Sequence, residues 1–183
     1  MRCVLALAGL VLAAACTPQQ GARPSAPGGS GQGALEAQAA RLPAELAGFT
    51  RGNAVWHEPE RPGLGVTVDY AGPARAAVAT VSLYDRAEEL DAAVAEVIQL
   101  AGTRTAQTIA ERERSTLPVP GGEPLQCARL EGSYGRQEVR TLLCLGAAAG
   151  RLVKVQVTAP LRPVVPVDPL PFVEGVTQAA RGA

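Results

Sequence analysis

The chain predicts an α+β fold, a largely antiparallel sheet packed against one long central helix and a C-terminal helix. Three observations carry this expectation. Short runs of alternating apolar and polar residues stand before and after a segment of helical spacing. The order of elements is strands, helix, strands, helix. Proline or glycine clusters punctuate the junctions. The elements fall between Leu42 and Ala180, about 140 residues, which is the size of one ordinary domain.

Leu42 to Phe49 reads as an entry segment leading into a strand at Thr50 to Trp56. His57 to Gly63 contains two prolines and reads as a loop. Val66, Val68 and Tyr70 alternate with Thr67 and Asp69, the period of a strand. Gly72-Pro73 is a turn, and Ala76 to Tyr84 is a second strand with Val81 and Leu83 on one face. Asp85-Arg86-Ala87-Glu88 fits a capping box. Leu90, Val94, Val97, Ile98 and Ala101 then fall on one helical stripe. Gly102 ends or weakens this helix before a continuation over Ala106 to Arg114, whose Glu111-Arg112-Glu113-Arg114 run reads as a solvated helix end. Pro118 and Pro120-Gly121-Gly122 close the region. Strands follow at Leu125 to Tyr134, Gln137 to Leu145 and Arg151 to Thr158. Prolines at 160, 163 and 166 exclude an interior strand beyond them. Asp168-Pro169 opens the last helix, with Phe172, Val173, Val176 and Ala180 as its apolar stripe.

The hairpin between residues 125 and 145 fixes a covalent expectation. A two-residue turn at Gly135-Arg136, with glycine first as type II′ prefers, sets Cys127 directly opposite Cys144. Alpha carbons of a non-hydrogen-bonded pair stand ~4.5 Å apart, within disulfide reach. The same register puts Glu131 opposite Arg140. It sets Leu130, Tyr134, Val139, Leu143 and Leu145 on one apolar face, with the cysteines, Arg129, Glu131, Glu138 and Arg140 on the other.

The N-terminus has the three parts of a secretory signal. Met1-Arg2 is the positive start and Val4 to Leu12 an uncharged apolar core. That core is too short to span a bilayer, which takes ~20 residues. Ala13-Ala14-Ala15 supplies small residues before Cys16. Leu12-Ala13-Ala14-Ala15-Cys16 resembles the lipobox of bacterial lipoproteins, although the leucine stands one place earlier than in that family. The resemblance implies that Cys16 is acylated and becomes the first residue of the mature chain, and Thr17 after it implies the outer membrane in a Gram-negative cell. Ordinary cleavage after Ala15 is the alternative, giving a soluble periplasmic or secreted protein with a free thiol. Cysteine usage favours acylation: Cys3 leaves with the signal and Cys127 pairs with Cys144, so Cys16 is the odd one. Thr17 to Gly33 is Pro, Gly, Ser, Gln and Ala with a single charge, a flexible tether by composition. The expected organisation is therefore a signal at 1–15, a lipidated Cys16 with its tether at 16–41, and one α+β domain at 42–183. The order of elements in that domain resembles the PsbP-like fold, which implies an antiparallel sheet packed against helices.

Composition narrows the partners. Loss of Arg2 with the signal leaves 16 basic against 17 acidic residues, which gives no electrostatic footprint for nucleic acid. Aromatics make up 3% of the chain, too few for the stacking platforms of glycan or single-strand binders. His57 is the only histidine. His57-Glu58-Pro59-Glu60 lacks the second histidine of a metalloprotease helix, its place being taken by Arg61. No serine sits in a Gly-x-Ser-x-Gly elbow, and no Lys-Ser/Thr pair makes a phosphate loop. No cofactor and no metal centre is expected, and catalysis is disfavoured. Three functions stay open: a non-catalytic envelope module that binds or assembles with another envelope protein while its lipid holds the membrane; a carrier of a small apolar ligand or lipid; and a hydrolase with dispersed residues. The first is preferred. Its expected binding surface is the polar face with Arg129, Glu131 and Arg140, together with the loop around Trp56 and His57. An apolar cavity would favour the carrier. A cleft gathering His57, a serine and a carboxylate would favour the hydrolase.

Overall fold

The computed structural model describes residues 30–58, 60–61, 63–85, 88–102 and 107–182. The expected signal, Cys16, residues 17–29 of the expected tether, and Arg86 and Ala87 of the expected capping box lie outside the described residues. In chain order the elements are α1 (Ser30–Arg41), β1 (Glu45–Leu46), β2 (Phe49–Trp56), β3 (Val66–Ala71), a 3₁₀ turn (Pro73–Arg75), β4 (Val78–Tyr84), α2 (Leu90–Gly102), β5 (Gln107–Leu117), β6 (Leu125–Tyr134), β7 (Gln137–Ala148), β8 (Arg151–Pro160) and α3 (Leu170–Arg181). All eight strands join one sheet in the order β1-β2-β3-β4-β8-β7-β6-β5, and every pairing is antiparallel. The fold is α+β.

Side-chain alternation gives the sheet two apolar faces of different extent. On one face, α1 and α3 cover Phe49, Val66, Val68, Tyr70, Val81, Leu83, Val153 and Val155. Phe172 of α3 is fully buried there, with its ring centroid 4.3 Å from Phe49 and 5.0 Å from Tyr70. On the other face, α2 lays Ala93, Val94, Val97 and Ala101 over Ile109, Ala128, Leu130 and Leu143. Thr67, Asp69, Thr80 and Gln156 share that second face beyond the reach of α2 and meet solvent at least in part.

Three expectations are corrected. Residues 107–117 form the edge strand β5, not a helical continuation. Their charges sit on a strand bordered on one side only, where charged side chains discourage pairing with other chains. The central helix is consequently short: α2 has 13 residues, against 12 in each of α1 and α3. Second, Asp85 does not cap it, because the helix starts at Leu90. Asp85 instead accepts from Arg151 Nε at 2.5 Å, and Glu88 Oε2 lies 3.4 Å from Lys154 Nζ. Third, the C-terminal part of the expected tether is the helix α1, with Leu35 and Ala39 in the core. Gln38, 1% exposed, anchors it: its amide donates to the carbonyls of Ala148 and Ala180, both at 2.9 Å. Its apolar stripe is only Leu35 and Ala39, too thin to register as helical periodicity.

The hairpin register agrees with the sequence reading throughout. Tyr134 pairs with Gln137, Glu131 with Arg140 and Cys127 with Cys144. The cysteines form a disulfide, with alpha carbons 4.1 Å apart. Gly135 has φ +61°, and Arg136 is not among the residues of positive φ, as a type II′ turn requires. The faces divide as the register dictates, except that the cysteine face is not polar throughout. Cys127 and Cys144 are buried in the core shared with α3.

A groove between the sheet and the strap before the last helix

The β5–β6 pairing carries a bulge. Glu111 pairs with Leu130 but Glu113 with Arg129, so Arg112 is the extra residue. A bulge reverses the parity of every side chain beyond it. Before it, Ile109 packs against α2; after it, Glu113, Ser115 and Leu117 pair with Arg129, Cys127 and Leu125 on the opposite face. Gly132 permits the close approach of β5 at the start of this pairing. A Cβ built there would lie 1.7 Å from the Thr108 carbonyl oxygen, so any larger residue would force the strands apart.

Residues 161–169 then bridge β8 to α3. Leu161 N–H donates to the Glu138 carbonyl at 2.8 Å, and the prolines at 163, 166 and 169 keep the strap out of the sheet. Pro169 already holds helical angles, φ −76° and ψ −20°. Asp168 Oδ1 accepts from Leu170 N–H at 3.0 Å, but the residue at the cap position of α3 is Pro169, one place later than expected.

Sheet and strap enclose a groove of about 730 Å³. Its floor is Ser115, Leu117, Cys127, Leu142, Val157 and Ala159, with Glu113, Arg129 and Arg140 toward one end. Its wall is Pro163, Pro166, Val167, Asp168, Pro169 and Leu170. The disulfide fixes β6 to β7 beneath it. Seven of the seventeen lining residues are polar, Thr116 and Thr141 among them, and four of these are charged. Arg129 Nη1 stands 3.0 Å from Glu113 Oε2, and Asp168 accepts from the Leu170 amide. Arg140 has no ion pair among the described residues. Glu131, across the ladder from it, instead reaches Arg112 at 3.4 Å.

The structure thus gathers Arg129, Glu131 and Arg140 on one face and separates them from Trp56 and His57. Strands β3, β4, β8 and β7 lie between β2 and β6, a separation of about 24 Å at the usual strand spacing. Trp56 is 41% exposed at the end of β2. His57 Nε2 is 3.0 Å from Thr67 Oγ1, which is 3.0 Å from Ser82 Oγ. This is a hydroxyl chain on the second face, and His57 is bonded to no carboxylate among the described residues. Ser82 is 5% exposed, too covered to meet a substrate.

Beside Ser82 in the register stands Lys154, the only lysine of the chain. Its ammonium donates to Glu96 Oε2 at 2.8 Å, lies 3.4 Å from Glu88 Oε2 and sits 5.0 Å from the centre of the Tyr84 ring. Burial works to lower its pKa, but hydrogen bonds to Glu96 and Tyr84, with their charges, outweigh burial and raise it. That fixes Lys154 as a cation and removes it as a general base for Ser82.

Sequence reasoning missed the apolar part of the groove: Leu117, Leu142, Val157, Ala159 and the strap. The parity switch at Arg112 is silent in sequence, whereas the prolines at 160, 163, 166 and 169 were a usable signal. A segment that can join neither sheet nor helix must cross over something. Among the described residues, no group of three or more His, Cys, Asp or Glu is placed to hold a metal, and no helix is long and apolar enough to cross a membrane. No protein-family model matches the chain, and no curated protein shows significant similarity to it.

Proposed function

We propose that the chain is an exported envelope lipoprotein, held to a membrane by acylated Cys16, that binds a small apolar ligand in the groove without catalysing its conversion. The groove carries this reading. It has the volume and the largely apolar floor of a ligand site, and it lies between the sheet and the strap that leads into α3. A groove of this kind suits a carrier of a small apolar ligand better than a module that only binds another protein. The disulfide supports export, since such bonds persist in oxidising compartments. The signal, the lipobox-like run and the short tether before α1 supply the address and the anchor. The PsbP-like arrangement belongs to the same proposal, supported by the antiparallel sheet with helices on it.

Titration with a neutral apolar fluorophore such as a phenylnaphthylamine tests the reading. Saturable binding is expected in the parent chain. Ser115→Trp, which sets a large ring over the floor from an exposed strand position, is expected to abolish it. No binding, or binding that this variant leaves unchanged, would remove the groove as the site.

A further inference from the structure

We infer that the groove selects a single-chain acyl anion, a hydrocarbon tail ending in a carboxylate, and that Arg140 holds its head. The inference rests on the groove being a ligand site and adds the charge of the ligand.

Four charged residues line the groove: Glu113, Arg129, Arg140 and Asp168. Glu113 and Arg129 neutralise one another at 3.0 Å. Asp168 is occupied at the amide of Leu170. Glu131, the carboxylate opposite Arg140, is drawn to Arg112. Arg140 is left as the one groove cation without an ion pair among the described residues. It is half-buried, standing opposite Ala159 on β8, beside the apolar floor of Leu142 and Val157. An arginine so placed offers two parallel N–H donors to one carboxylate. Burial beside apolar surface strengthens that contact relative to one in open water.

The size of the groove separates the two sources of acyl anions. About 730 Å³ falls in the range of sites for one drug-sized ligand. A fatty acid fits within that volume, while a two-chain phospholipid, with roughly three times as many heavy atoms, exceeds a site for one drug-sized ligand. One unpaired cation matches one negative charge, which both sources can supply, so it is size that separates them. The commitment is therefore to a free long-chain carboxylate.

The test is displacement of the neutral fluorophore from the full chain by dodecanoate, by dodecanol and by a diacyl phosphatidylglycerol below its vesicle-forming concentration. Arg140→Gln and Arg140→Lys are measured beside the parent, each checked for an unchanged thermal midpoint. Dodecanoate is expected to bind about ten- to a hundredfold more tightly than dodecanol, the range of one charge-assisted hydrogen-bonded contact. Arg140→Gln should bring the two affinities together by weakening dodecanoate alone, and Arg140→Lys should restore part of the difference. The phospholipid should not compete. Equal affinities for acid and alcohol in the parent would overturn the inference and leave the apolar site standing. So would a preference for acid that survives in Arg140→Gln. Phospholipid competing as well as dodecanoate would overturn the single-chain assignment. Absence of fluorophore binding would remove the underlying reading and the inference together.

Discussion

Ala149 holds φ +49° and Gly150 φ +80° in the two-residue turn between β7 and β8. Both central residues of a type I′ turn need positive φ, and asparagine is the usual first choice. An alanine there is strained by about 1–2 kcal/mol. Ala149→Asn should therefore stabilise the fold by roughly 1 kcal/mol, read as a higher denaturant midpoint at an unchanged slope. A lower midpoint would show that the turn is not strained. Lys154 makes a second prediction at this scale. Its pKa is raised in the folded chain, so its contribution to stability is complete below the ordinary lysine value of ~10.4 and is lost as pH rises through the folded value. As the only lysine, it gives one side-chain resonance, which should titrate above the ordinary value in the native chain and return to it in denaturant. Lys154→Met should cost about 2–3 kcal/mol at neutral pH, below the full price of breaking a buried pair because Glu96 reaches solvent. That deficit should shrink in alkali. A resonance titrating at or below the ordinary value would contradict the hold of Glu96 and Tyr84 on the ammonium. The two residues differ in how far sequence could reach them. Ala149 lay in a loop foreseen between strands, but Ala-Gly carries no turn signature. Lys154 was visible as a lone lysine, while Glu96, 58 positions away, and Glu88 could be brought to it only by α2 crossing the sheet.

At the scale of elements, the sequence was most legible where geometry is local. The β6–β7 hairpin followed from one turn, and its register fixed Cys127 against Cys144. The face that the cysteines occupy was harder. It reads as polar because Arg129, Glu131 and Arg140 share it, yet α3 and the strap cover its other end. Strand β5 was misread as helix since its alternating charges fit either period once the bulge at Arg112 is unknown. Helix α1 was misread as tether because its hold on the domain is one buried amide and an apolar stripe of only Leu35 and Ala39. That hold is testable. A chain beginning at Ser30 should keep the stability of the longer protein. A chain beginning at Leu42 loses Leu35, Ala39 and both Gln38 hydrogen bonds, and should unfold at a clearly lower temperature. Gln38→Ala alone should cost about 1–3 kcal/mol, the penalty for leaving the buried carbonyls of Ala148 and Ala180 without their donor. Equal melting of the Ser30 and Leu42 chains would return α1 to the tether.

For the whole molecule, the sheet divides its work between its ends. Strands β1 to β4 and β8, with α1 and much of α3, form a closed core around Phe172. Strands β5 to β7 are covered by α2 on one face and leave the groove on the other. Arg181, at the end of α3, ties these parts together by donating to the carbonyls of Val119 at 2.7 Å and Ala147 at 3.1 Å. The proposed site lies at the open end of this sheet, and the proposed lipid anchor on Cys16 would hold it near a membrane, which suits capture of an apolar molecule near its source. The most direct test is native mass spectrometry of the full chain extracted in mild detergent from bacterial envelopes, beside Ser115→Trp. The account predicts a chain beginning at a diacylglyceryl-modified Cys16 that carries one further, non-covalent mass of a single-chain acid. The variant should keep the covalent lipid and lack the second mass. A parent chain with no non-covalent ligand, or a ligand retained equally by the variant, would contradict the account.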